Sequence, residues 1–400
     1  IENGDVIILK SNYSIDSISL FFALYDNKNI IVPIISSNNS EIKKKISISG
    51  ANKLIDKNNV IENLNNKKSN YPDIISLVNN KKSGLILFSS GSTGEPKGML
   101  HDLDNFINIY KNIKTRNLNF LVFLMFDHIG GINTMLNIFS MYSTMVIPSD
   151  RSPEKIGQLV ERYKVNILPT SPSFLNLMNI SNVFDKYDFS SLIMITYGTE
   201  PMPEKLLKLL RSKLKKTKFL QTFGTSETGI IKTISKSSDS LLVKFEDPNQ
   251  KIKIIDGELW IKSKTKVSGY LNHNNKSFTN DGWFKTGDLI KEYKDGYYKI
   301  IGRKSEVINI GGEKVLPIEV ESEILSLDFV NDVTVYSQEN SILGQIMIAK
   351  VIINENFSEG EAKKQIRFHC KKNLEKFKIP SKIIFRDKIN LSNRFKKNRS

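Results

Sequence analysis

The stretch FSSGSTGEPKG, residues 88–98, sets the reading of the whole chain. Gly84, Leu85, Ile86, Leu87 and Phe88 lead into it as a short apolar run of strand character. Ser89, Ser90, Ser92 and Thr93 then offer hydroxyls, while Gly91, Gly94 and Gly98 let backbone N–H groups turn toward an anion. Lys97 adds a point charge to that cradle. A strand that opens into such a loop is expected to bind phosphate. It is not a Walker A loop: the spacing from Gly91 to Lys97 is wrong, Pro96 precedes the lysine, and Gly98 stands where a metal-binding Ser or Thr would be required. A flexible linker would neither follow a buried strand nor close on Pro-Lys-Gly.

At 400 residues the chain exceeds one comfortable core, so a large domain with a second, smaller one is expected. The longest strongly apolar stretch, around residues 120–126, is too short to span a bilayer, and no signal-like segment opens the chain. With a single cysteine, Cys370, there is no internal disulfide and no cysteine-based metal site, which fits a soluble protein of the reducing cytoplasm. The net charge of +16 raises nucleic acid as a partner. The lysines are spread among Asn and Ile, however, with no basic helix carrying interleaved aromatics, so no nucleic-acid partner is expected. Local runs at 43–45 and 213–218 read as solvated helix faces, with a docking surface for an acidic partner as the alternative.

Strand patterns at 6–9, 30–34, 53–55, 120–126, 145–147, 166–169 and 192–196 alternate with helical ones at 15–24, 153–163 and 203–214. That order predicts an α/β fold with mostly parallel sheets covered by helices, and ligands beyond the carboxyl ends of strands. After about residue 230 short strands with turn signals, at 251–255, 258–263 and 297–301, predict a β-rich subdomain over about 231–304. Beyond Ser305 helices at 315–325 and 358–374 with strands at 330–336 and 346–353 predict a small α+β C-terminal domain, 305–400, following an N-terminal domain of residues 1–304.

Five further segments carry chemistry. TYGTEPM (196–202) ends a strand in a glycine turn, and QTFGTSET (221–228) ends another with Phe223, Gly224, Thr225, Ser226 and Glu227. FKTGDL (284–289) sets Asp288 after a glycine, where it can accept hydrogen bonds from sugar hydroxyls. GRKSEVINIGGEKVLPIEVE (302–321) holds Arg303, Ser305, a glycine pair and Lys314, and SNRFKKNR (392–399) brings basic residues close to the end.

In this order the six segments resemble the adenylate-forming superfamily of acyl- and aryl-CoA synthetases, nonribosomal-peptide adenylation domains and luciferases, over nearly the whole chain from Gly4 to Arg399. The resemblance implies an AMP-forming carboxylate ligase, in which a carboxylic acid attacks the α-phosphate of ATP to give an acyl-adenylate and pyrophosphate. The thiol of CoA, or a carrier-protein phosphopantetheine, then takes the acyl group. A catalytically silent nucleotide-binding relative is the other alternative.

Carried over by motif, Ser89, Ser92, Thr93 and Lys97 would hold the β- and γ-phosphates, Glu227 would bind Mg²⁺, and Phe223 would stack on adenine. Thr199, Glu200 and Pro201 would line the other side of the base, with Gly224, Thr225 and Ser226 beside it, and Asp288 and Arg303 would bind the ribose. Lys396, with Thr93 and Glu227, would serve the chemistry by stabilising charge on the phosphoryl oxygens. Phe395 stands there in place of a usual glycine, and Lys397 is the other candidate. Ser305 falls at the family's hinge, about which a mobile C-terminal domain would turn to bring Lys314 near a phosphate of the incoming thiol. Asp127 and His128, in FDHIGG, match the gate of the acyl pocket, with Gly198 near its floor. Asp after Phe is similar to amino-acid-activating relatives, which hold an amino group there, whereas His followed by small residues resembles the acyl- and aryl-CoA ligases, and the paired glycines after His128 favour the second. Thr199 stands where a second glycine is common. The family usually has more sequence before Gly4 and between Pro33 and Gly84, so either a trimmed chain or a small member is expected.

Overall fold

Strands that are apolar on both faces have to be covered on both sides, and the first sheet shows how. The computed structural model describes residues 1–64, 69, 71–90, 95–341 and 343–387. Six strands, β1 (Val6–Lys10), β2 (Ile30–Pro33), β3 (Lys53–Asp56), β4 (Ile61–Asn63), β5 (Gly84–Ser90) and β6 (Pro96–Asp102), pair in the order β4-β3-β1-β2-β5-β6. The inner four are parallel, and β4 and β6 close the edges antiparallel. Period-two alternation splits the side chains. Ile7, Leu9, Ile31, Leu85 and Leu87 face one core, and Val6, Ile8, Ile30, Val32, Ile86 and Phe88 face another. The helices α1 (Ile15–Asp26), α2 (Asn39–Ser49), α3 (Pro72–Asn79) and α4 (Leu103–Asn108) cover these faces through Phe21, Ile42, Ile74 and Phe106. Each such side chain, fully removed from water, contributes about 1.5–3 kcal/mol.

The second sheet, β7 (Asn119–Leu121), β8 (Thr144–Val146), β9 (Ile167–Thr170), β10 (Met194–Tyr197) and β11 (Lys218–Gln221), is parallel in the order β11-β10-β9-β7-β8. Helices α5 (Ile129–Ser140), α6 (Pro153–Arg162), α7 (Pro172–Ile180), α8 (Val183–Lys186) and α9 (Glu204–Lys213) accompany it, with Leu168, Ile195 and Phe219 packed on Ile156, Phe174 and Leu207. One expectation changes here. The strand expected at 120–126 stops at Leu121, because its partner β8 is equally short and the Phe123 carbonyl is taken by Arg151 Nε at 2.7 Å. In addition, the structure shows a strand that had not been read from the sequence: β6, which pairs antiparallel with β5 from Gly84 to Ser90.

A small hairpin, β12 (Phe223–Thr225) and β13 (Gly229–Ile231), leads into an antiparallel third sheet. Its strands β14 (Thr233–Ser235), β15 (Leu242–Phe245), β16 (Gln250–Ile255), β17 (Glu258–Ser263), β18 (Phe284–Glu292) and β19 (Tyr298–Arg303) stand in the order β14-β15-β19-β18-β17-β16. A turn at Lys304–Glu306 leads to the C-terminal unit. There β20 (Ile308–Ile310), β21 (Glu313–Val315), β22 (Val330–Asn340), β23 (Gly344–Ile353) and β24 (Lys382–Phe385) pack under α10 (Pro317–Leu325) and α11 (Glu359–Asn373). Val320, Ile324, Val333, Val351, Ile366 and Cys370 give that unit a core of its own. The fold is thus a large α/β unit with a β-rich portion and a small α+β C-terminal unit. The small unit touches the large one where Lys205 Nζ donates to the Leu327 carbonyl at 2.8 Å and Asn176 Nδ2 to that of Asn331 at 3.1 Å.

Candidate active site

Three strand ends converge on one pocket. Beyond β10 come Gly198, Thr199, Glu200 and Pro201; at the end of β11 and just past it, Gln221, Thr222, Phe223 and Gly224; and from β18 and β19, Asp288, Ile300, Gly302 and Arg303, with Glu306 following. The backbones approach closely at Gly198, where a Cβ would meet the Thr222 carbonyl oxygen at 2.7 Å. Its neighbour Thr199 takes φ 73°, in the left-handed region that penalises a β-branched residue by about 1–2 kcal/mol. A glycine would take this conformation freely, so the threonine here carries backbone strain.

Asp288 and Arg303 are register partners across β18 and β19. Arg303 Nε donates to Asp288 Oδ1 at 3.0 Å. Gly287, at φ 73°, and the Asp288 N–H, which donates to Thr286 Oγ1 at 3.0 Å, aim the carboxylate into the pocket. Burial pushes the Asp288 carboxyl above its ordinary range, and the Arg303 guanidinium pulls it partly back. In return the carboxylate raises Arg303. Asp288 Oδ2 is buried without a hydrogen-bond partner. A buried acceptor left without a partner, on a residue that lines a pocket, is the signature expected of a group suited to a ligand donor such as a hydroxyl.

Glu227 sits at the tip of the β12–β13 hairpin. The loop is set by the Thr228 N–H, which donates to Thr225 Oγ1 at 3.1 Å, and the Glu227 carbonyl accepts from the Val267 N–H at 2.9 Å. Tyr270 donates its hydroxyl to Glu227 Oε1 at 2.8 Å, and Lys97 Nζ lies 5.4 Å from the centroid of the same ring. Burial, with the Glu227 charge second, pushes the Tyr270 phenol up, so it stays a donor. Asn272 ties the lysine strand to this segment, accepting from the Gly98 N–H at 3.0 Å and donating to the Pro96 carbonyl at 2.9 Å. Glu227 also raises both Asp288 and Arg303 electrostatically, which joins the two halves of the site. Among the described residues no group of three or more His, Cys, Asp or Glu could hold a metal ion alone. A single carboxylate is what Mg²⁺ would need from the protein if phosphate oxygens and waters completed its shell, since it commonly takes one or two carboxylates.

The other candidates fall elsewhere. Ser89 lies opposite Lys97 across β5 and β6. Ser92, Thr93, Lys396 and Lys397 lie outside the described residues. Asp127 is buried and His128 half-buried at the start of α5; His128 caps that helix by accepting from the Gly130 N–H at 3.1 Å. The turn requires Gly131, whose Cβ would meet the Met125 carbonyl oxygen at 1.9 Å. Among the described residues these two do not line the pocket. Ser305 is exposed in the turn after β19, and Lys314 is exposed on the β20–β21 hairpin, likewise outside the pocket. His101 is buried and neutral. Burial lowers it to about 4, against smaller opposing contributions from the Thr265 and Ser226 backbones.

Sequence reasoning missed Tyr270, Asn272 and Gln221. Gln221 opens a motif already singled out and is buried at the pocket with its side-chain oxygen unpartnered. Tyr270 and Asn272 share the loop SGYLNH, where an aromatic among polar residues was the available signal.

Two family patterns match the chain: AMP-binding enzyme over residues 2–271, and AMP-binding enzyme C-terminal domain over residues 319–396. A 2-succinylbenzoate–CoA ligase of Listeria innocua is 27% identical over 334 residues, covering 78% of this chain and 68% of its own. A probable 4-coumarate–CoA ligase of Dictyostelium discoideum is 31% identical over 74% of this chain and 58% of its own. Among solved structures, an anthranilate CoA ligase in complex with anthranoyl-AMP superposes with TM-score 0.81 at 18% identity, over 98% of this chain and 86% of that one. The o-succinylbenzoate CoA synthetase of Bacillus subtilis with its acyl-adenylate superposes with TM-score 0.77 at 22% identity, over 100% and 88%.

Proposed function

The chain belongs to the AMP-binding enzymes, and from that membership we propose that it is an AMP-forming acid–thiol ligase: ATP and a carboxylic acid give an acyl-adenylate and pyrophosphate, and the thiol of CoA accepts the acyl group. The observation that carries the nucleotide half is Asp288, a buried carboxylate of the pocket lining with one oxygen paired to Arg303 and the other without a hydrogen-bond partner.

In this reading Asp288 Oδ2 accepts from a ribose hydroxyl, and Arg303 orients the carboxylate and contacts the same sugar. Phe223 stacks on adenine, facing Thr199, Glu200 and Pro201, and the Gln221 side-chain oxygen accepts from the exocyclic amine. Gly224, Thr225 and Ser226 pass beneath the nucleotide and carry Glu227 to the phosphates. Ser89, Ser92, Thr93 and Lys97 clamp the leaving pyrophosphate. Mg²⁺, held by Glu227 and the phosphates, would neutralise phosphate charge. Tyr270 fixes the Glu227 carboxylate and places it in register with Lys97. Asp127, His128 and Gly198 border the acyl side.

Residues 1–304 form the nucleotide and acid half, with its β-rich part at about 231–304. Residues 305–400 form a domain that turns about Ser305, bringing Lys396 to the α-phosphate in the first step and Lys314 toward the acceptor's phosphate in the second. The separate core of this unit supports the division. Its setting is the cytoplasm, where ATP and CoA are both at hand.

ATP–pyrophosphate exchange against a panel of carboxylic acids tests the reading. Exchange driven by at least one acid, followed by acyl transfer to CoA in preference to free pantetheine, is the expected result. No exchange with any acid, from folded full-length protein, overturns it.

A further inference from the structure

The third sheet has a second face that the nucleotide pocket does not use. Along β15 to β19, Phe245, Ile252, Leu259, Ile261, Ile290 and Ile300 turn into the small core beside Phe223, and the alternate positions turn away from it. Those outward positions carry seven lysines, from Lys244 to Lys299. The acids within the same strands do not offset them. Glu258 is buried and accepts from the Gly287 N–H, Asp288 is the ribose candidate on the core side, and Glu292 stands opposite Tyr298 on the core-facing row. Asp281, in the loop ahead of β18, is a carboxylate that feels Lys253 and Lys262.

Strand register gathers aromatic rings among these ammonium groups. Lys253, Trp260 and Lys285 form one row across β16, β17 and β18. Lys253 Nζ lies 4.7 Å from the Trp260 ring centroid and 4.4 Å from that of Trp283, and Lys285 Nζ lies 5.1 Å from Trp260. Trp260 and Trp283 are the only tryptophans of the chain. Exposed aliphatic and phenolic tips stand at the margins: Ile255 at the end of β16, Tyr293 just past β18 and Ile234 on the edge strand.

Bound nucleic acid stacks its bases on open ring faces. Here lysine ammonium groups already cover the indoles. An anionic bilayer asks for something else: ammonium groups spread over a plane at phosphate level, indole and phenol rings at headgroup depth, and a few aliphatic tips beyond them. This face offers all three, about 19 Å across five strands at the usual strand spacing. We infer that the outer face of the third sheet docks the protein on an anionic lipid bilayer, with the nucleotide pocket on the opposite side of the sheet. The inference stands independently of the ligase reading.

Vesicle co-sedimentation of the full chain tests it, with tryptophan emission as the second readout because both indoles sit on this face. Vesicles containing phosphatidylglycerol should pellet the protein and shift its emission to the blue, phosphatidylcholine vesicles should do neither, and binding should fall steeply with salt. The triple substitution Lys251→Glu, Lys262→Glu and Lys291→Glu should weaken binding on the order of 100-fold, at roughly fivefold or more per lysine. Lys215→Glu, Lys216→Glu and Lys218→Glu, an equal change of net charge on another surface, should alter it by less than about threefold. Near-UV circular dichroism establishes that both variants are folded. Equal weakening by the two triples, equal affinity for neutral vesicles, or no binding to the phosphatidylglycerol vesicles overturns the inference, and quenching of the tryptophans by a single-stranded oligonucleotide in that last case assigns the face to nucleic acid instead.

Discussion

Replacing Asp288 with Asn keeps the side-chain shape and an acceptor for Arg303 Nε, but removes the charge and turns the open acceptor into an amide. The wild-type carboxylate has one oxygen 3.0 Å from Arg303 Nε and one with no partner, on a side chain 8% exposed. A hydrogen bond to a charged group is worth about 1.5–3 kcal/mol. The Michaelis constant for ATP in pyrophosphate exchange should therefore rise roughly 10- to 150-fold, with kcat changed far less, because the ribose contact is the same in ground and transition states. The second arm uses the nucleotide. Wild type should discriminate against 2′,3′-dideoxy-ATP by a similar factor, and Asp288→Asn should lose most of that discrimination. Stability should move the other way. Burial raises the folded carboxyl pKa above its unfolded value, so this group favours the folded state at low pH, and that contribution is lost as pH rises through the folded pKa. The ligand-free Asn variant should accordingly be more stable than wild type at pH 7, with the gap closing as pH falls through the carboxylate range. If wild type uses ATP and the dideoxy nucleotide equally, the assignment of Asp288 to the ribose fails, whatever the variant does.

Tyr270→Phe keeps the ring beside Lys97 but removes the hydroxyl from Glu227, so the magnesium concentration giving half-maximal exchange should rise several-fold, while Tyr270→Ala should do worse by freeing the lysine strand as well. His101→Gln tests a buried neutral imidazole: its folded pKa lies near 4 against an ordinary 6.5, so the unfolded chain takes the proton first, and acidification from pH 6.5 to 4 should cost wild type about 3 kcal/mol that the variant does not lose, measured by urea unfolding across pH. Thr199→Gly should raise unfolding stability by about 1 kcal/mol in the same assay, since glycine accepts φ 73° freely; an unchanged or lower stability removes the strain argument. Lys396→Ala should abolish adenylate formation and spare thiol transfer from a supplied acyl-adenylate, whereas an intact first step in that variant with loss in Lys397→Ala shifts the role one residue on.

Those parts of the candidate site that the fold brings together were legible where their motifs are local. The glycine turn ahead of Asp288, the hydroxyl-rich hairpin under Glu227 and the strand running into Ser89 each declare themselves within a few residues. What stayed hidden depends on register and long loops. Tyr270 reaches Glu227 from a loop between β17 and β18, and nothing near Glu227 in sequence names it. The antiparallel β6 was missed because Pro96-Lys-Gly reads as a turn, although its pairing with β5 is continuous from Gly84 to Ser90. Lys314, plausible from its glycine-rich surroundings, sits on an exposed hairpin of the C-terminal unit, and its place in a second step requires that unit to move.

The same register argument explains why the lysine-rich composition hid a patterned surface. Along any one strand of the third sheet the sequence shows only a lysine or two between apolar residues, as in QKIKII and ELWIKS, which looks like the background of the whole chain. Only the pairing of Lys253 with Trp260, and of Trp260 with Lys285, turns separate residues into a plane of one charge. The core-facing side of that sheet carries the opposite arrangement, with the Asp288 carboxylate placed to accept from a sugar and Arg303 beside it. One sheet therefore separates an acceptor-bearing pocket from a cationic exterior.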